Sequence, residues 1–196
     1  MTNMAVAVSN ARVIDVSGRF HRHTSRRVSF LEGSASGGRW GPPKAFAVLY
    51  LGRPVESVTI EAYRHLVDAT EGMTASNLVP RKLWTIDVDA TNVLDVRDPG
   101  SRMALGLSER DLHSEVSNYK VCQDIALAAN QLGLHGIIAP AAEGHGETLA
   151  LFDAQLPVAE FPTVASIEEG WQLPSDPRVL RVLESEERAT PRDRRD

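Results

Sequence analysis

The stretch from Gly37 to Glu61 constrains this chain most. Four glycines and two prolines fall between Glu32 and Lys44, a composition that makes a loop and not a regular element. The loop carries Arg39 within Gly37-Gly38-Arg39-Trp40-Gly41-Pro42-Pro43. Phe46 to Leu51 is continuously apolar and closes at Gly52, which predicts a short buried strand. Pro54 opens a helix, because its missing N–H would have no partner in the first turn. Val55, Val58, Ala62, Leu66 and Ala69 then repeat at three- and four-residue intervals, an amphipathic stripe ending near Gly72. Glu61 falls beside the stripe, where a carboxylate faces a cleft at the edge of the core. Loop, strand and helix thus supply a cation, a polar aromatic (Tyr50) and a carboxylate, a set suited to chemistry on a phosphorylated ribose.

Elsewhere the signals are shorter. Val13-Ile14 is a weak strand ended by Ser17-Gly18, and Arg19 to Thr24 is another, anchored by Phe20. Trp84 to Val88 alternates like a strand, and Val93-Leu94 begins one more. Residues 97–118 read as a surface loop holding a short helix, with Ser108 as its cap and Asp111 three residues on. Val121, Ile125, Ala128, Ala129 and Leu132 form a second amphipathic helix stopped by Gly133. Ile137-Ile138 and Leu149 to Phe152 are strands around a loop from Pro140 to Glu147. These elements sum to an α+β domain, with short mixed strands flanked by helices.

At 196 residues the chain fits one domain with a full core. The net charge of -5 disfavours non-specific nucleic-acid binding, which needs a cationic surface. Cys122 is the single cysteine, so no disulfide framework or cysteine zinc site exists. No apolar run approaches the ~18 residues of a membrane span. The first residues lack a basic leader and a long apolar run, which predicts a cytoplasmic protein with no membrane contact. No Walker loop, dinucleotide-binding glycine fingerprint or serine-hydrolase elbow is present. The histidines are scattered or lack a third ligand, so no metal site is predicted.

Each candidate residue carries two readings. Arg39 is either a pyrophosphate clamp, through its planar fork of donors, or the partner of a carboxylate or of Trp40. Arg22 lies in the cationic run Arg19, His21, Arg22, His23, Arg26 and Arg27, which is either a local anion site or a solvated face. Tyr50 either stacks on a flat ring or sits in the core with a satisfied hydroxyl. Glu61 either bonds a ribose hydroxyl and stabilises charge at the anomeric carbon, or pairs with Arg64 or His65.

Taken together these residues resemble the RES domain, the toxin half of bacterial RES–Xre toxin–antitoxin modules. The likeness runs through Phe20-His21-Arg22, Gly37-Gly38-Arg39-Trp40, Val48-Leu49-Tyr50-Leu51 and Glu61. It resumes at Gly136-Ile137-Ile138-Ala139-Pro140-Ala141-Ala142 and Leu149-Ala150-Leu151-Phe152, so it covers most of residues 19–153. The resemblance implies a fold similar to diphtheria-toxin-type ADP-ribosyltransferases and action on NAD+. It makes Glu61, Arg39 and Tyr50 the catalytic set, with Arg22, Arg39, Tyr50, Trp40 and Thr148 binding NAD+.

The implied reaction is cleavage of the nicotinamide–ribose bond by phosphorolysis or hydrolysis, with inorganic phosphate as a candidate co-substrate and no metal. The alternatives are mono-ADP-ribosylation of a cellular protein and a catalytically silent binding module. An Xre-type antitoxin is the implied partner, blocking the NAD+ cleft in a hetero-oligomer and supplying any DNA contact. The resemblance makes 19–153 the catalytic domain, preceded by a lead-in over 1–18 and followed by a packed extension over 154–183, and the charged composition of 184–196 predicts a disordered tail. One departure stands out: the serine usual after the strand-ending proline is Ala141 here. An asparagine often found before the last strand is replaced by Thr148.

Overall fold

The structure is a computed structural model that describes residues 4–113, 119–141 and 144–178. Its frame is a single six-stranded sheet: β1 (Val13–Thr24), β2 (Val48–Arg53), β3 (Arg81–Asp95), β4 (Gly136–Pro140), β5 (Glu147–Phe152) and β6 (Thr163–Trp171). The order is β1-β2-β5-β4-β3-β6, and β1 also pairs with β3, which closes five of the strands into a ring. All pairings are antiparallel except β3 with β4. Among the described residues five α-helices flank the sheet: α1 (Met4–Ser9), α2 (Val55–Leu66), α3 (Pro99–Leu105), α4 (Glu109–Leu112) and α5 (Lys120–Gln131).

Strand alternation divides the apolar side chains into two cores. Inside the ring, Phe20, Leu49, Leu51, Ile86, Ile138 and Leu149 are fully or almost fully buried. Outside it, Val48, Ala150, Phe152 and Ile137 meet Ile125 and Ala129 of α5 and Val8 of α1. A smaller cluster, Val58, Ala62, Leu83 and Trp171, seats α2 against β3 and β6. The stripe read from the sequence of α2 is therefore its packed face.

Several element boundaries differ from the sequence expectation. The two short strands around Gly18 are one, because Gly18 takes a φ of 111° within β1 and does not end it. A Cβ there would lie 3.3 Å from the Arg53 guanidinium, which instead covers the Phe20 ring at 4.2 Å. Likewise Trp84–Val88 and Val93-Leu94 belong to one 15-residue strand, β3. Helix α2 stops at Leu66 and not near Gly72, since residues 68–72 are exposed and have no core to pack against. Among the described residues of the segment expected as a loop lie two helices: α3, capped by Asp98, and α4, whose Ser108 and Asp111 form a reciprocal capping box.

Beyond Phe152 the chain returns to add β6 at the edge of β3, a strand exposed along all but its last residue. Tyr63 then donates to the Pro174 carbonyl at 2.8 Å, and Arg178 pairs with Asp68 at 2.8 Å, tying this segment to α2. The charged tail over 184–196 lies outside the described residues.

Candidate active site

One cleft, of about 290 Å³, opens where β1, the glycine loop, β2 and α2 meet. Arg22, Arg39, Trp40, Tyr50, Glu61 and Thr148 all line it. The residues singled out from the sequence therefore converge, although they come from four separate elements and one loop.

The loop is a closed turn. Gly38 and Gly41 exchange backbone hydrogen bonds of 2.9 and 3.4 Å, and Ser34 bridges to Val48 at the start of β2. From α5, Gln123 donates to the Gly38 carbonyl at 3.0 Å. Glycine is required at position 38 by close approach: a Cβ would sit 2.6 Å from the Tyr50 hydroxyl. That hydroxyl accepts the Trp40 backbone N–H at 2.9 Å, so loop and strand are pinned together. Burial pushes the Tyr50 pKa up, which keeps the hydroxyl protonated and able to donate. Trp40 itself is 1% exposed, so its indole serves the core and offers a ligand little surface.

The two arginines are held by backbone carbonyls. Arg39 donates through Nη1 to the Leu112 carbonyl at the end of α4, with its guanidinium 5.1 Å from the centre of the Tyr119 ring. Arg22 donates through Nη1 to the Glu32 carbonyl at 2.8 Å. Burial lowers the Arg22 pKa and the carboxylates of Asp153 and Glu32 raise it, but a guanidinium stays charged throughout. Backbone anchoring fixes a planar fork of donors at the wall of the cleft. That is the arrangement expected of a phosphate clamp.

Glu61 sits on α2 with its side chain part-exposed to the cleft. Its Oε1 lies 2.8 Å from His65 Nε2, and its Oε2 accepts from Arg64 at 3.4 Å. The local pairing foreseen as the alternative to a catalytic role is thus present, within a residue that also lines the cleft. Burial opposes the charged form of Glu61. The His65 hydrogen bond, followed by the charges of His65, Arg64 and Arg39, outweighs burial and holds the pKa below its ordinary value. An ionised carboxylate facing two arginines can stabilise a cation formed between them.

Thr148 lies on β5 opposite Gly52, and its hydroxyl has no hydrogen-bond partner among the described residues. Ala141 is buried at 7% exposure and does not line the cleft, whereas Pro140 does. Two wall residues, Ser57 and Tyr119, escape the sequence reading, whereas His21 and His23 belong to the cationic run it picks out. The two-residue spacing of His21 and His23 on β1 puts both rings on one face of the strand, at the cleft wall. Among the described residues no group of three His, Cys, Asp or Glu side chains converges as a metal site would require.

The family model of the RES domain matches residues 12–176. The NAD(+) phosphorylases MbcT of Mycobacterium tuberculosis and Mycobacterium bovis are each 30% identical to this chain over 143 residues, spanning 71% of it and 76% of the relative. In three dimensions the chain is similar to a crystal structure of the Mycobacterium tuberculosis MbcT–MbcA toxin–antitoxin complex. The TM-score is 0.77 at 26% identity, covering 94% of this chain and 98% of that one. A family match over most of the sheet and every wall of the cleft makes this chain a member of the RES-domain family.

Proposed function

We propose that this protein is the toxin of a toxin–antitoxin pair and depletes NAD+ by cleaving its nicotinamide–ribose bond, with inorganic phosphate as the acceptor. The convergence of Arg22, Arg39, Tyr50 and Glu61 on one cleft carries the reading. The similarity to relatives named NAD(+) phosphorylases supports phosphate over water or a protein side chain. We also read the fold as akin to the diphtheria-toxin-type ADP-ribosyltransferases, which likewise handle NAD+.

In this mechanism Arg22 and Arg39 hold the pyrophosphate, and Tyr50 orients the nicotinamide ring. The C1–N bond of the nicotinamide ribose breaks with its electron pair leaving on nicotinamide. Glu61, kept ionised by His65 and Arg64, stabilises the oxocarbenium-like ribose. A phosphate oxygen then forms the new bond to C1, giving ADP-ribose-1″-phosphate. Thr148 supplies a hydroxyl to the bound substrate.

The partner on this reading is an Xre-type antitoxin that covers the cleft in a cytoplasmic hetero-complex and makes any DNA contact itself. Its basis is the likeness to a toxin solved with its antitoxin. Among the described residues no helix is long and apolar enough to cross a membrane.

Purified protein mixed with NAD+, with and without phosphate, tests the reaction by chromatography and mass spectrometry. Phosphate-dependent formation of ADP-ribose-1″-phosphate is expected. Equal loss without phosphate would replace phosphorolysis by hydrolysis, and intact NAD+ in both mixtures would overturn the reading.

A further inference from the structure

His23 stands opposite Leu83 in the antiparallel β1–β3 ladder, which brings Arg81, two residues earlier on β3, beside its ring. Arg81 Nε lies 3.0 Å from His23 Nδ1. An arginine nitrogen carries its protons and never accepts, so Nδ1 must be the bare nitrogen of the ring. The proton of the neutral imidazole therefore rests on Nε2. Trp171, at the end of β6, steadies the same ring, with centroids 6.1 Å apart and planes inclined by 30°. His23 lines the cleft, and among the described residues no partner meets its Nε2. Nor is Nε2 one of the buried polar atoms left without a hydrogen bond, so its proton is accessible.

We propose that His23, locked by Arg81 as the neutral Nε2–H tautomer, donates a hydrogen bond to a hydroxyl oxygen of the nicotinamide ribose. The proposal deepens, and rests on, the NAD+ reading above. A ribose hydroxyl that gives its proton to Glu61 keeps lone pairs free to accept one. A neutral donor satisfies that oxygen without adding positive charge beside C1, where positive charge develops as the glycosidic bond breaks. A charged imidazolium would oppose the reaction. The surroundings keep the ring neutral: burial first, then the charges of Arg81, His65 and Arg22, hold its pKa at about 3 against the opposing pull of Glu61.

His23→Phe keeps a ring against Trp171 and removes the donor, while His23→Gln keeps a nitrogen donor near the Nε2 position. With NAD+ and phosphate, His23→Phe should lower kcat/KM about tenfold, the weight of one hydrogen bond, and His23→Gln should recover most of it. Analogues of NAD+ lacking the 2′- or the 3′-hydroxyl of the nicotinamide ribose locate the contact. Wild type and His23→Phe should become equal on one of the two, and an undiminished difference on both overturns the proposal. Nitrogen chemical shifts of the ligand-free protein read the tautomer with no turnover at all. A protonated Nε2 and bare Nδ1 at neutral pH are expected, and a protonated Nδ1 would sink the proposal whether or not NAD+ is cleaved.

Discussion

The Tyr50 hydroxyl accepts the backbone N–H of Trp40 at 2.9 Å, across a gap that only a glycine at position 38 leaves open. The strand wall of the cleft and the loop that carries Arg39 are therefore one unit. Removing the hydroxyl in Tyr50→Phe leaves a backbone donor without its partner in a largely buried setting. The expected cost is about 1–3 kcal/mol of stability, read as a lower urea midpoint at unchanged slope. Gly38→Ala should break the same bond by steric displacement and cost at least as much.

Glu61→Gln keeps the shape of the side chain and its place on α2 but removes the charge that the proposed mechanism sets against the ribose. NAD+ cleavage should fall about 100-fold or more, the weight of a transition-state charge contact, while the fold persists. The pH dependence follows from a folded pKa below the ordinary carboxylate value. A carboxylate of that kind contributes stability that is fully present above its unfolded pKa. The contribution is lost as pH falls from there through the folded pKa. The acid limb of wild-type activity should accordingly lie below the ordinary glutamate range, and the wild-type stability margin over Glu61→Gln should shrink in that same window.

Much of this site was legible because its parts carry local signals. The glycine loop, the apolar run of β2 and the stripe of α2 are each written in a few consecutive residues, and so is the Ser108–Asp111 capping box. What was hidden depends on partners distant in sequence. Gly18 looks like a strand breaker, yet β1 continues through its φ of 111°, with the Arg53 guanidinium of another strand packed 3.3 Å from where a Cβ would stand. Strand β6 is exposed along nearly its whole length, so it has no apolar alternation to read. Helix α3 is seven residues long, too short to show a repeating apolar stripe, so it is not visible in the sequence pattern. His23 becomes informative only once Arg81, 58 residues away, fixes its proton.

Thr148→Val tests the hydroxyl in the cleft wall apart from any structural role. The side chain has no hydrogen-bond partner among the described residues, and valine suits a strand as well as threonine does. Stability should hold or rise slightly, while kcat/KM for NAD+ should fall by up to about tenfold. Ala141→Ser should not compensate, because position 141 is buried away from the cleft wall.

Glu147 joins two arginines where β2 and β4 end and β5 begins. It accepts from Arg53 Nε, and from Arg97 Nη1 at 2.6 Å, while Arg97 also pairs with Asp95. Glu147→Ala leaves both guanidiniums short of a counter-charge in a half-buried setting. The loss should be about 1–3 kcal/mol, less than for a fully buried pair because both cations keep some water. Asp87→Ala, which breaks the exposed Arg19–Asp87 pair, should change stability by less than about 1 kcal/mol. Equal effects from the two variants, measured by chemical denaturation, would deny the Glu147 cluster its structural role.

His23 also makes a prediction about acid stability that needs no substrate. Its folded pKa is held at about 3 by burial and by Arg81, His65 and Arg22, well below the ordinary histidine value of 6.5, with only Glu61 pulling the other way. Between those two values the unfolded chain binds a proton that the folded chain refuses. Folding is therefore penalised as pH falls from 6.5 toward 3, and is unaffected by this group above 6.5. His23→Phe has no such proton to refuse. Subtracting its stability from that of the wild type cancels the other titrating groups and leaves the contribution of His23. That difference should be flat above the ordinary histidine pKa. It should then turn against the wild type by up to about 1.4 kcal/mol per pH unit on the acid side. Urea titrations of both proteins from neutral pH downward supply the comparison. A difference that stays flat into the acid range would mean that His23 takes up its proton in the folded protein as easily as in the unfolded chain, and that Arg81 does not hold the ring neutral.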